Sequence, residues 1–152
     1  MTSASALTFD NLNEDMRKRT QAREYALQLL YEYDIIKDLP ENLTFFWSRQ
    51  EEPVDEEVRG FTEELVQGTV RYLKDIDKKV SGYAANWNLN RMAVVDRNVL
   101  RLGSFELLYL KDIPAKVSIN EAVDLAKKYS GEDSGKFVNG ILDRIKDECG
   151  KD

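Results

Sequence analysis

The chain has 152 residues, 42% hydrophobic and 33% charged, which suits one domain with a proper core and excludes a disordered polymer. Its net charge of −6, from 22 basic and 28 acidic residues, argues at first against a nucleic-acid partner. One cysteine, Cys149, excludes a disulfide framework, no apolar run is long enough to span a bilayer, and Met1 to Asp10 shows no signal peptide; a cytoplasmic protein is expected.

Residues 1–15 are rich in small and polar types and predict a flexible tail, leaving 16–152 as a single helical domain. From Met16 to Ile36, Ala26, Leu29, Leu30 and Tyr33 recur at helical spacing and predict a long amphipathic helix. Its start is basic, with Arg17, Lys18, Arg19 and Arg23 close together, whereas the segment from Glu51 to Glu57 concentrates acid. A local basic face can hold phosphate on a net-acidic protein, because salt confines the field of a charge to about 8–10 Å. Read by itself, however, the run fits a solvated helix face better.

Pro40 restarts the chain, and Leu43, Phe46 and Trp47 suggest a short second helix before Pro53. Val58, Phe61, Leu65, Leu73, Ile76 and Val80 mark one or two further helices, with a break near Gly82. Val94 to Leu110 is apolar on nearly all sides, the mark of a central buried helix, with Val99, Leu102 and Phe105 in its core. Asp112-Ile113-Pro114 predicts its stop. Ser118-Ile119-Asn120-Glu121 then reads as a capping box, followed by an inner stripe of Ile119, Ala122, Val123 and Ala126 and a stop at Ser130-Gly131. Asp133 or Ser134 is expected to cap a last helix whose inner face carries Phe137 or Val138, Ile141, Leu142 and Ile145. With no alternating strand pattern, the expected fold is all-α: a compact bundle of about six to seven helices.

Catalytic chemistry is poorly supplied. There is no histidine, one cysteine cannot build a zinc site, and Gly131 and Gly135 lack the lysine of a phosphate loop, so no catalytic residue, metal or cofactor is predicted. Glu106, on the apolar central helix, fits a buried hydrogen-bonded carboxylate better than a catalytic one. Gly140, inside the last helix, costs about 1 kcal/mol relative to alanine, which calls for either close helix–helix contact or an open surface for a partner backbone or nucleotide. Phe137 belongs by default in the core, yet at its edge, beside Lys127, Lys128 and Lys136, it would suit RNA, with a base on the ring and phosphate on the lysines.

Several phrases occur in a specific order: Ala22-Arg23-Glu24-Tyr25-Ala26-Leu27-Gln28-Leu29-Leu30-Tyr31, Asp96-Arg97-Asn98-Val99-Leu100-Arg101-Leu102, Ile119-Asn120-Glu121-Ala122-Val123-Asp124-Leu125-Ala126 and Lys136-Phe137-Val138-Asn139-Gly140-Ile141-Leu142. Together they resemble the NusB family of transcription antitermination factors. The resemblance implies two small helical sub-bundles and an RNA-binding protein that is not an enzyme. Its expected partners are NusE, a small-subunit ribosomal protein, boxA-like single-stranded RNA and the RNA polymerase antitermination complex, notably at ribosomal RNA operons; a homodimer is allowed. By the same likeness Arg17, Lys18, Arg19 and Arg23 match the family's basic RNA-binding start, Tyr31 and Phe137 its RNA-associated aromatics, and Asp96 and Asp133, expected to bind the partner, its acidic positions at or near the NusE and RNA surfaces. Arg19-Thr20-Gln21 departs from the consecutive arginines of many relatives. Two alternatives stay open: the N-terminal domain of an RNA cytosine methyltransferase, and a homo-oligomeric helical scaffold without RNA binding.

Overall fold

The structure, a computed structural model, describes residues 4–40, 43–84 and 88–151. Among them are α1 (Ala4–Ile36), α2 (Thr44–Ser48), α3 (Glu56–Arg71), α4 (Leu73–Tyr83), a 3-10 turn (Leu89–Arg91), α5 (Val94–Tyr109), α6 (Ala115–Tyr129) and α7 (Glu132–Cys149), and no strand. The helix after Gly131 and the apolar helix from Val94 both form, and the fold is the all-α bundle read from the sequence.

α5 is the axis. It touches α1, α3, α4, α6 and α7, and every residue from Asn98 to Leu107 is buried. Two groups of helices share it: α1 with α2 and α3, and α4 with α6 and α7. Leu100, Leu102 and Leu142 fill the centre, and Val99 and Phe105 join them as expected. Approach is closest where side chains are missing: a Cβ on Gly68 of α3 would run into the Phe105 ring, and one on Gly103 of α5 would meet Leu142 at 2.8 Å.

α1 begins at Ala4, not near Met16, so the segment 4–15 expected to be a tail is helical; residues 1–3 lie outside the described residues. Leu12 and Met16, one turn apart, edge a groove with Phe61, Ile113 and Val117, which gives the extended turns an apolar neighbour. At the other end Lys37, at φ 64°, closes the helix with its N–H on the Tyr33 carbonyl at 2.7 Å.

Two expected caps are replaced. α6 starts directly after Pro114, whose fixed φ of −58° sets the chain for a helix, so Ser118 and Glu121 lie inside it and make no capping box. Gly131, at φ 135°, turns the chain into α7, so Asp133 and Ser134 stand within its first turn and do not cap it. Asp133 there still places a negative charge at the positive end of the helix dipole.

A buried ionic cluster ties the two groups together. Asp34 of α1 accepts through Oδ2 from Arg97 Nε and Asn98 Nδ2, both at 2.8 Å, and from Arg101 Nη1 at 3.1 Å. Arg101 reaches on to Asp77 of α4 through Nε and Nη2 at 2.8 and 2.9 Å. Among the described residues no helix is long and apolar enough to cross a membrane.

Candidate nucleic-acid and partner interface

α1 presents a continuous outer stripe. Arg17, Gln21, Glu24, Gln28 and Tyr31 follow one another at alternating spacings of four and three, which places them on one helix face. Arg17, Gln21 and Gln28 are exposed, and Tyr31 retains 40% of its surface in solvent. α6 lies alongside. Lys128 Nζ donates to both carboxylate oxygens of Glu24, at 3.2 and 3.1 Å, and the Tyr129 hydroxyl donates to Glu24 Oε2 at 2.7 Å. Those contacts with Glu24 raise the pKa of Lys128 above its ordinary value and so hold it cationic. Gln21, Tyr25, Gln28, Tyr31, Val95 and Tyr129 enclose a groove of about 510 Å³ between the stripe and α6. With a cation at one end, Tyr31 at the other, and in the middle two amides flanking the Glu24 carboxylate held by Lys128 and Tyr129, this surface suits phosphates and unstacked bases.

The rest of the basic run faces elsewhere. Lys18 turns toward α3, with Nζ 3.4 Å from Glu57, 3.7 Å from Asp55 and 3.9 Å from Glu14. Arg19 is exposed and lays its guanidinium 4.9 Å from the centre of the Phe61 ring.

Arg23 requires a correction. It is 2% exposed and cannot meet a phosphate: Nε and Nη2 donate to Glu106 at 2.9 and 2.8 Å, and Nη1 donates to Glu121 at 2.9 Å. Ser118 Oγ donates to Glu106 at 2.8 Å, and Thr20 donates to Glu121. Burial alone would lower the arginine pKa, but these carboxylates outweigh it and raise it. The would-be capping pair of α6 thus completes a buried cluster, and Glu106 is the structural carboxylate its position suggested.

On the far side of the α5 N-terminus, Met92, Ala93, Asp96, Asp133, Ser134 and Phe137 line a pocket of about 220 Å³. Asp96 stands in the first turn of α5, where Ala93 is the N-cap. Its Oδ2 accepts from Ser134 Oγ at 3.2 Å, whereas its Oδ1 is buried without a hydrogen-bond partner. An oxygen left so is unfavourable until a donor reaches it. Phe137 is half-buried against the core at the rim of this pocket.

The expected company of Phe137 was lysine; the pocket around it is acidic. Lys127 folds its stem over Gly135 and approaches Glu132 at 3.9 Å, Lys128 belongs to the α1 groove, and Lys136 is exposed on α7. The structure therefore joins Asp96, Asp133 and Phe137 in one place and Arg17, Tyr31 and Lys128 in another. Tyr129, Gln21 and Gln28 were missed by sequence reasoning, although an aromatic directly after Lys127-Lys128, and polar residues on the Arg17–Tyr31 stripe, were readable signals.

Residues 20–147 match the sequence model of the NusB family. The chain is 43% identical over 140 residues to the transcription antitermination protein NusB of Thermodesulfovibrio yellowstonii, covering 86% of this chain and 93% of that one. To its namesake from Anaeromyxobacter sp. strain Fw109-5 it is 50% identical over 129 residues, covering 84% and 89%. Among solved structures, T. maritima NusB is similar with a TM-score of 0.76 and 42% identity over 86% of this chain and 91% of that one. A chain in the crystal structure of antitermination factors NusB and NusE in complex with dsRNA is similar with a TM-score of 0.78 and 33% identity, covering 88% and 98%.

Proposed function

This chain belongs to the NusB family, and from that premise we propose that it is a cytoplasmic transcription antitermination factor, holding boxA-like single-stranded RNA jointly with NusE so that RNA polymerase reads through terminators, notably in ribosomal RNA operons. The observation that carries the RNA half is the α1 stripe from Arg17 to Tyr31 with Lys128 and Tyr129 beside it. Arg17 supplies a phosphate contact, Tyr31 a stacking ring, and Gln21 and Gln28 hydrogen-bonding groups between them. Lys127, exposed on α6, extends the positive track, whereas Lys136 lies on the α7 face that also carries Asp133 and Phe137.

NusE is assigned to the pocket of Asp96, Asp133 and Phe137. A lysine or arginine of a basic protein would meet the half-buried Asp96 and exposed Asp133 carboxylates, with the Phe137 ring flanking its stem. At a net charge of −6 the chain repels RNA at long range, so a basic partner beside the stripe is what makes binding tight. The relatives matched over most of their length are antitermination proteins, which favours this reading over a methyltransferase domain or an RNA-free scaffold.

Fluorescence anisotropy of a short single-stranded boxA RNA against salt, with and without purified NusE, tests both halves. Arg17→Glu should weaken all RNAs similarly and flatten the log-affinity against log-salt slope, which changes by about 0.7 per phosphate contact. Tyr31→Ala should keep the slope and cost about 1–3 kcal/mol of binding. Asp96→Lys should abolish the gain from NusE while leaving RNA binding by the chain alone intact. Unchanged RNA affinity in both α1 variants would refute the stripe as the RNA site.

A further inference from the structure

Gly140 stands at the midpoint of α7, exposed, and a Cβ built on it meets no atom within 4 Å. The tight contact that accounts for Gly68 and Gly103 is absent there, and its φ lies outside the left-handed region. Neither packing nor backbone conformation within the chain calls for glycine, although glycine in mid-helix destabilises relative to alanine. Gly60 and Gly82 are equally open, but they stand in the opening turns of α3 and next to the last residue of α4, where helices fray.

Gly140 follows Phe137 by three residues and Asp133 by seven, so the three occupy one face of α7, and that face begins at the acidic pocket. We propose that the surface for NusE, on the reading given above, continues along α7 to Gly140, where the missing side chain lets the NusE backbone lie directly against the helix. The exposed Asn139 amide beside it offers a donor and an acceptor to that backbone. The occupant is polypeptide, not RNA. Along this face the carboxylates of Asp96, Asp133, Asp143 and Asp147 outnumber the cations Lys136 and Arg144, and the Arg144 guanidinium lies 4.7 Å from the centre of the Tyr83 ring. Such a face attracts a basic protein and repels phosphate.

The test compares Gly140→Ala and Gly140→Leu with Asp96→Lys by thermal melting, by calorimetric titration with purified NusE, and by RNA anisotropy without NusE. Gly140→Ala should melt about 2–4 °C higher than the wild type, because the helix gains without any internal clash. It should nevertheless bind NusE about tenfold more weakly, and Gly140→Leu more weakly still, because the added atoms displace the partner backbone. RNA binding by the chain alone should be unchanged. NusE affinity preserved in both Gly140 variants but lost in Asp96→Lys overturns this inference and leaves the proposed function standing. Wild-type NusE affinity in all three variants, or no NusE binding by the wild type, overturns both. A lower melting temperature for Gly140→Ala means that the glycine serves the fold, and loss of RNA binding with NusE binding intact gives the face to RNA; either result overturns the inference.

Discussion

Arg23 of α1 and Glu106 of α5 form a two-pronged buried pair, with Nε on Oε2 at 2.9 Å and Nη2 on Oε1 at 2.8 Å. It divides the basic start of α1 by role. Arg17 points to solvent, Lys18 and Arg19 face α3, and Arg23 fastens the first helix to the central one. Four cations close in sequence therefore divide among three roles, because successive residues of a helix are about 100° apart.

Arg23→Met should act on stability first. It leaves Glu106 buried and its charge without the guanidinium, a loss of about 3–5 kcal/mol for one partner of a buried pair. Urea unfolding measures it. An unchanged midpoint together with weakened RNA binding would restore Arg23 to the RNA surface.

Asp34 predicts an acid-labile link. Burial opposes its charge, but hydrogen bonds from Arg97 and Asn98 and the charges of Arg101 and Arg97 prevail, and its pKa falls from 3.8 to about 2. A carboxylate held below its unfolded value contributes fully above that value and loses its contribution as pH falls through the folded one. The contribution here is about 2 kcal/mol, present above roughly pH 5 and gone only by about pH 1, below the folded pKa. Comparing wild type with Asp34→Asn by urea unfolding at pH 6, 4 and 2 should show a stability gap that narrows with acid and is mostly closed at pH 2. A gap independent of pH would reject the linkage.

Leu102→Ala probes the axis. Leu102 is 2% exposed on α5, and its truncation should cost about 2–5 kcal/mol through the cavity it leaves. Circular dichroism during denaturation reads the loss directly, and an unshifted midpoint would remove Leu102 from the core.

The helices were legible because apolar periodicity is a local signal: Val99, Leu102 and Phe105 announce a buried helix without reference to any other element. The caps were not. Ser118 and Glu121 have capping spacing, yet Glu106 and Arg23, 12 and 98 residues away, claim their side chains. Composition made the segment 4–15 look like a tail, because polar residues such as Asp10, Asn11, Asn13 and Glu14 face solvent whether or not the backbone is helical. The site was half legible. The residue types were right, but only the fold could place Phe137 among aspartates and Tyr129 beside Glu24. The sequence allows Gly140 either a packing contact or an open surface, and the empty space above it excludes a packing contact within the chain.

Lys18 of α1 sets its ammonium against the start of α3. Asp55 and Glu57 stand at 3.7 and 3.4 Å from Lys18 Nζ and compete with any phosphate for it. Desolvation works against the lysine charge, but these carboxylates raise its pKa overall, so Lys18 is a cation already neutralised from within the chain. Replacing both acids as Asp55→Asn and Glu57→Gln should therefore strengthen RNA binding and steepen the salt slope by about 0.7, the contribution of one additional phosphate contact on a single strand. The fold should tolerate the change. Asp55 caps α3 by accepting from the Glu57 N–H at 2.8 Å, and asparagine caps about as well as aspartate. The decisive control is the triple variant that adds Lys18→Met: the gain in slope should vanish if it came from Lys18. A gain that survives the loss of Lys18 would mean that the two acids act only through the overall field, and no gain at all would place Lys18 away from the RNA.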